Sequence, residues 1–182
     1  MSFILTPREY VRLRSELDHK YKTICDVLLN TGMRIEEFWE FVRHQDWYDV
    51  KRRCIDIPGH AVKKAKTVYD ARTVPLTLSG CNAVEKLFRV NPQRITRQSM
   101  IKVLKLAAIN AKLPEGDKGI MPKAFRKYLI SWNMKSNPEK MFEIAGASGH
   151  TLDVMQRHYA SLSFQQEDID DMRKFLKGWG GT

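Results

Sequence analysis

Helical periodicity runs along almost the whole of this chain and is interrupted once, between Trp47 and Leu76. Ahead of the break, Thr6-Pro7-Arg8-Glu9 has the form of a helix start: a threonine cap, a proline at the first helical position, and a glutamate three residues after the cap to close a capping box. Tyr10, Leu13 and Leu17 then fall on one face. A second helix is expected over about Tyr21 to Leu29, stopped at Asn30-Thr31-Gly32, and a third from near Met33, carrying Ile35, Phe38, Trp39 and Val42. Within the break, Arg53-Cys54-Ile55-Asp56-Ile57-Pro58 alternates polar and apolar, the period of a strand, and Pro58-Gly59 closes it. Val62 to Lys66 and Ala71 to Leu76 are the expected neighbours, joined by a lysine-rich turn. Helices resume over about Leu78 to Phe88, Ile95 to Ala111, Lys123 to Met134, Pro138 to Ala145, Leu152 to Ala160 and Gln165 to Leu176, with Asn137 and Ser163 as capping signals. The expected fold class is α+β and mostly α: one helical domain with a single small antiparallel sheet.

The chain's 182 residues suffice for one domain with a sizeable core, and four Trp, eight Phe and six Tyr exclude intrinsic disorder. Lys and Arg number 31 against 21 Asp and Glu, a formal net charge of +10, which favours a polyanionic partner, most often nucleic acid. No stretch approaches the roughly 20 apolar residues of a membrane span. The opening Met-Ser-Phe-Ile-Leu-Thr-Pro lacks the basic region and apolar run of a secretory signal, so the expected location is cytoplasmic and nucleoid-associated. Cys25, Cys54 and Cys81 are odd in number and form no CxxC pair, which points to reduced thiols. His19, His44, His60, His150 and His158 show no HExxH spacing, so neither a protein-bound metal nor another cofactor is expected.

Four segments can carry chemistry. Thr31-Gly32-Met33-Arg34-Ile35-Glu36-Glu37 places an arginine after a glycine turn at a helix start, where backbone N–H groups and a guanidinium fork both suit phosphate oxygens. Glu37, three residues on, can hold Arg34 in one rotamer, and a plain surface ion pair is the bland alternative. Lys63, Lys64 and Lys66 sit in the lysine-rich turn before Arg72-Thr73-Val74-Pro75-Leu76, suited to a DNA groove and to donating a proton to a leaving oxygen, or merely to solvation. Lys123, Arg126 and Lys127 stand at a helix start after Met121-Pro122, with Lys123 and Arg126 on one face and Phe125 and Leu129 directed into the core. Gly149-His150 is followed nine residues on by Tyr159, which shares a face with Leu152 and Met155 and so also fits a core aromatic.

None of these is specific alone, but their order and spacing are. A Thr-Gly-x-Arg-x-x-Glu box, a lysine hairpin before Val-Pro-Leu, a Lys-x-x-Arg helix, Gly-His 24 residues after that arginine, then Tyr, resembles the catalytic domain of the tyrosine recombinases, the phage-integrase family. The resemblance runs through nearly the whole chain, beginning at Leu5-Thr6-Pro7-Arg8-Glu9. It implies that Arg34 and Arg126 clamp a scissile phosphate and that Lys66 (with Lys63 and Lys64 as alternatives) protonates the 5′-oxygen leaving group. It further implies that His150 hydrogen-bonds a phosphate oxygen and that Tyr159 is the nucleophile. The position of Lys123 more often holds histidine in the family; lysine is a substitute found in archaeal and viral members, which suggests a prokaryotic or viral origin. The implied activity is a DNA strand transferase acting through a 3′-phosphotyrosine with release of a 5′-OH, without metal or ATP.

Three uses remain open at this point: a site-specific recombinase working as assembled protomers (a tetramer on two DNA sites), a type IB topoisomerase-like enzyme, and a non-catalytic DNA-binding module. Double-stranded DNA is the expected partner in each. The expected readout helix begins near Thr96, with Arg94, Arg97, Gln98 and Lys102 directed at a major groove. The last helix (Ile169, Met172, Phe175, Leu176) suits docking on a neighbouring protomer or on its own domain about equally. The resemblance covers 1–182 as a catalytic domain without the separate core-binding domain that integrases usually carry ahead of it, so weak, steeply salt-dependent DNA binding is expected.

Overall fold

The computed structural model describes residues 4–61, 71–114, 120–159 and 162–180; for 158 and 159 only the backbone is described. In these, helices α1 (Pro7–Ser15), α2 (His19–Thr31) and α3 (Ile35–Arg43) precede a sheet of β1 (Tyr48–Asp49), β2 (Cys54–Ile57) and β3 (Arg72–Pro75). Then follow α4 (Leu78–Val90), α5 (Arg97–Asn110), α6 (Pro122–Ser136), α7 (Met141–Ser148), α8 (Leu152–Tyr159) and α9 (Gln166–Phe175). The sheet is antiparallel in the order β1-β2-β3, with Ile55 opposite both Tyr48 and Val74. The mostly helical α+β architecture read from the sequence is the one observed.

The first turn forms as its residues dictate: the Glu9 N–H donates to Thr6 Oγ1 at 3.3 Å, and the Thr6 N–H donates to Glu9 Oε2 at 2.8 Å. Helix α2 starts two residues earlier than expected because Asp18 caps it, accepting from the Tyr21 N–H at 3.0 Å, and it runs on to Thr31. It is the central strut, buried along most of its second half and packed against α4 and α6. Strand β1 was not foreseen, since two residues are too few to show a period. Two expected caps are absent. Asn137 makes no side-chain cap bond, so Pro138–Lys140 is a single 3₁₀ turn and α7 begins only at Met141. Helix α9 is capped by Gln165 and Asp168 rather than by Ser163. The second expected strand, Val62 to Lys66, lies outside the described residues, as does Ala160.

Helix α9 docks on its own chain, against α1 and α6. Met172, Leu176 and Trp179 are buried there, and Phe175 meets Trp132 edge-on with ring centroids 5.1 Å apart. Arg8 also bonds to Asp171 at 2.6 Å and Glu167 at 3.0 Å, but those groups are exposed, so the apolar contacts decide the docking. All three cysteines are free and buried. Among the described residues no helix is long and apolar enough to cross a membrane.

Helix α2 ends at Gly32, whose φ of 60° is left-handed. The Thr31 hydroxyl donates to Val27 O at 2.7 Å and accepts from the Met33 N–H at 3.3 Å, which bends the chain toward α3. A Cβ on Gly32 would meet Leu129 Cδ2 at 3.1 Å as well as the wrong φ. Gly32→Ala is therefore expected to destabilise by about 1–3 kcal/mol, read as a lower urea midpoint at unchanged m-value.

Candidate active site

Arg34 is the residue immediately before α3, and Glu37 stands one turn into it. The Arg34 N–H donates to Glu37 Oε2 at 2.9 Å and its Nη1 donates to Oε1 at 2.7 Å, so the carboxylate both closes the helix start and fixes the arginine's rotamer. Arg34 remains 41% exposed while Glu37 is fully buried, at 0%. A buried carboxylate needs more than one half-exposed partner, and Arg72 on β3 supplies it. Its Nη2 donates to Oε2 at 2.6 Å and its Nη1 to Oε1 at 3.2 Å, while Nε donates to the Ala147 carbonyl of α7 at 3.0 Å. Burial alone would push the Glu37 carboxyl up; the bonds and charge of Arg72, with those of Arg34, outweigh it and hold the group below its ordinary value.

Arg126 lies one turn inside α6. It is buried rather than on an open basic face, because it neighbours Phe125 and precedes Leu129 and Ile130 on a helix buried on most sides. Lys123 and Lys127 of the same helix are exposed, so the expected shared face of Lys123 and Arg126 divides: the lysine stays in solvent and the arginine turns inward. Arg126 Nη1 donates to Gly32 O at 3.0 Å and Nη2 donates to Ser148 O. One guanidinium thus joins the turn before Arg34 to the turn before His150. The second turn is made by Gly149, also left-handed at φ 60°, where a Cβ would stand 3.7 Å from Arg72 Cδ and 3.8 Å from Arg126 Nη2. His150 follows, its Nδ1 3.0 Å from Ser148 Oγ, which itself donates to Ala145 O at 3.2 Å.

The structure therefore brings Arg34, Glu37, Arg126 and His150 into one neighbourhood, and adds Arg72. Sequence reasoning passed over Arg72, although its alternation with buried Val74 marks it as inward-facing on the strand. Lys63, Lys64 and Lys66 lie outside the described residues. Tyr159 is the last residue of α8, nine positions after His150, and its side chain is likewise outside the description. Arg94 bonds Glu36 of α3 at 2.7 Å, both being largely exposed, and Arg97, Gln98 and Lys102 are exposed at the start of α5. Among the described residues no group of three or more His, Cys, Asp or Glu is placed to hold a metal ion.

Solved structures share this arrangement of elements. XerA recombinase aligns with a TM-score of 0.65 and 15% identity, covering 97% of this chain and 64% of that one. The Tn1549 transposon integrase in complex with circular intermediate DNA gives 0.67 and 16% over 94% of this chain and 67% of that one. XerH site-specific recombinase, bound to a palindromic difH substrate, gives 0.56 and 14% over 94% and 51%. The fold is that of the tyrosine recombinase catalytic domain. This chain spans about two thirds or less of those three proteins' length. No family model matches the sequence, and no curated protein matches it. On this fold, Arg126 joins the Gly32 turn before α3 to the Ser148 end of α7.

Proposed function

We propose that this chain is the catalytic domain of a site-specific DNA recombinase or integrase. It cuts and rejoins DNA strands through a 3′-phosphotyrosine. The observation that supports this reading is that Arg126 bonds the Gly32 carbonyl, in the turn just before Arg34, and the Ser148 carbonyl, in the turn just before His150. Two guanidiniums form a fork-like clamp for the non-bridging oxygens of one phosphodiester and stabilise the charge of a pentacovalent phosphorane. His150 adds a hydrogen bond and Lys123 a further phosphate contact. Tyr159 Oη gives its proton to solvent water and attacks phosphorus; the P–O5′ bond breaks, and Lys66 gives the 5′-oxygen a proton. The new phosphotyrosine bond conserves the energy of the old one, so another strand's 5′-OH reverses the step without ATP. Arginines supply the electrostatic help that a divalent cation gives other phosphoryl-transfer sites, so the reaction proceeds without metal. Double-stranded DNA is the partner, gripped also by Lys63, Lys64 and Lys127 and by the exposed start of α5, and recombination proceeds in an assembly of protomers on paired sites.

The test is trapping on nicked suicide duplexes in EDTA, with a random-sequence pool as substrate. A denaturation-resistant protein–DNA adduct is expected, with peptide mapping placing the nucleotide on residue 159. Relaxation of plasmid DNA without sequence preference would move the reading to a topoisomerase-like enzyme. DNA binding with no adduct, even after a core-binding domain is fused ahead of Met1, would leave a binding module.

A further inference from the structure

Glu37 has four acceptor positions, and four donors occupy them: the Arg34 N–H and Arg72 Nη2 on Oε2, Arg34 Nη1 and Arg72 Nη1 on Oε1. Among the described residues, the Arg34 guanidinium thus engages this carboxylate through Nη1 alone. Without a second guanidinium, a buried carboxylate would draw the flexible fork of Arg34 into a two-pronged pair, the geometry arginine and carboxylate prefer. A guanidinium so held faces Glu37 rather than a phosphate. Arg72 prevents this by satisfying one whole edge of the carboxylate itself. It is anchored to do so, since its side chain is 4% exposed and its Nε is bound to the Ala147 carbonyl. The same anchor ties β3 to the end of α7, whose next residues are the Gly149 turn and His150.

We propose that Arg72 is a positioning residue for the strand-transfer reaction: by holding Glu37 from β3 it keeps the Arg34 fork turned toward the phosphate, and by holding Ala147 it sets the register of the His150 turn. This rests on the reading of Arg34 as a phosphate clamp. Arg72 touches no DNA; it acts through two neighbours. It also ties β3, the strand that follows the lysine-rich segment, to Glu37 of α3 and to Ala147 of α7. The carboxyl's lowered affinity for its proton, which comes chiefly from Arg72 among its partners, accords with this division of roles.

The test is a double-mutant cycle on adduct formation at saturating suicide substrate. Arg72→Gln is expected to slow the covalent step about 100-fold with DNA affinity within about threefold, and to cost only about tenfold in an Arg34→Ala background, where its hold on Ala147 alone still matters. Arg72→Lys restores charge without the fork and is expected to recover only part of the rate; it also serves as the working variant if Arg72→Gln fails to fold. Equal losses in both backgrounds, or lost affinity with an unchanged covalent step, would overturn the proposal. A parent chain that forms no adduct on any DNA, with or without a core-binding domain fused ahead of Met1, would refute the recombinase reading instead. In that event ¹³C and ¹⁵N NMR still decide on Arg72: its removal must raise the Glu37 carboxyl titration midpoint and shift the Arg34 Nε–H resonance. Unmoved signals would sink the inference.

Discussion

Tyr159→Phe is expected to leave no covalent adduct on any DNA, a loss of at least about 10⁴-fold in the covalent step, while DNA affinity stays within about threefold of the parent. Phenylalanine keeps the ring but has no oxygen to join to phosphorus. The parent residue needs help to react, since a free phenol with a pKa of about 10 is only about 0.1% ionised at pH 7. On the proposed mechanism, cations of the site favour the phenolate, and Arg34, Arg126 and Arg72 supply such charge at the start of α3, in α6 and on β3. Three of the other tyrosines are poor substitutes. Tyr10 is buried and donates to Asp26 at 2.6 Å, with burial and then that carboxylate pushing its phenol well up. Burial likewise raises Tyr128 and Tyr48. An adduct that persists in Tyr159→Phe would move the nucleophile off α8.

The second large effect concerns stability. Glu37→Gln removes the anion between Arg34 and Arg72, and Arg72 then remains a buried cation facing a neutral amide. Breaking a buried pair from one side is expected to cost about 3–5 kcal/mol, measured by urea denaturation at pH 7. A loss below about 1 kcal/mol would mean that water reaches Arg72. The pH dependence has a definite sign. The folded carboxyl binds its proton less tightly than the unfolded one, so the stabilisation is complete above the unfolded value of about 4.3 and is lost as pH falls through the lower folded value. Glu37→Gln is therefore expected to unfold less steeply in acid than the parent, with the two stabilities converging at low pH.

The pair of Arg34 and Glu37 was legible because three residues on one helix turn are neighbours whatever the rest of the chain does. The Thr6–Glu9 box and the Gly32 stop were legible for the same local reason. Arg72 was not, since its partners lie 35 and 75 residues away and no short-range period reports a contact of that reach. Arg126 was read as a phosphate ligand from the family resemblance, but its burial against two carbonyls depends on where α2 and α7 come to rest. Asn137 and Ser163 had the composition of caps without the geometry, because Gln165 and Asp168 formed the competing box on α9 and a 3₁₀ turn displaced the start of α7. The recombinase pattern was carried by order along the chain; the interior that steadies it was carried by packing.

The bonds that assemble this site also set when it can exist. Arg126 reaches back 94 residues to Gly32 and forward 22 to Ser148, and Arg72 reaches 75 residues to Ala147. Each is a contact of large sequence separation, so it forms late, after the loops it closes have been ordered. A chain emerging from the ribosome displays the lysine-rich segment and Arg34 long before α7 is made. On the proposed function, a nascent chain at that stage has cations that can hold nucleic acid but neither the Ser148 turn nor Tyr159. Strand cutting then requires synthesis through Tyr159, so a shorter nascent chain cannot nick DNA.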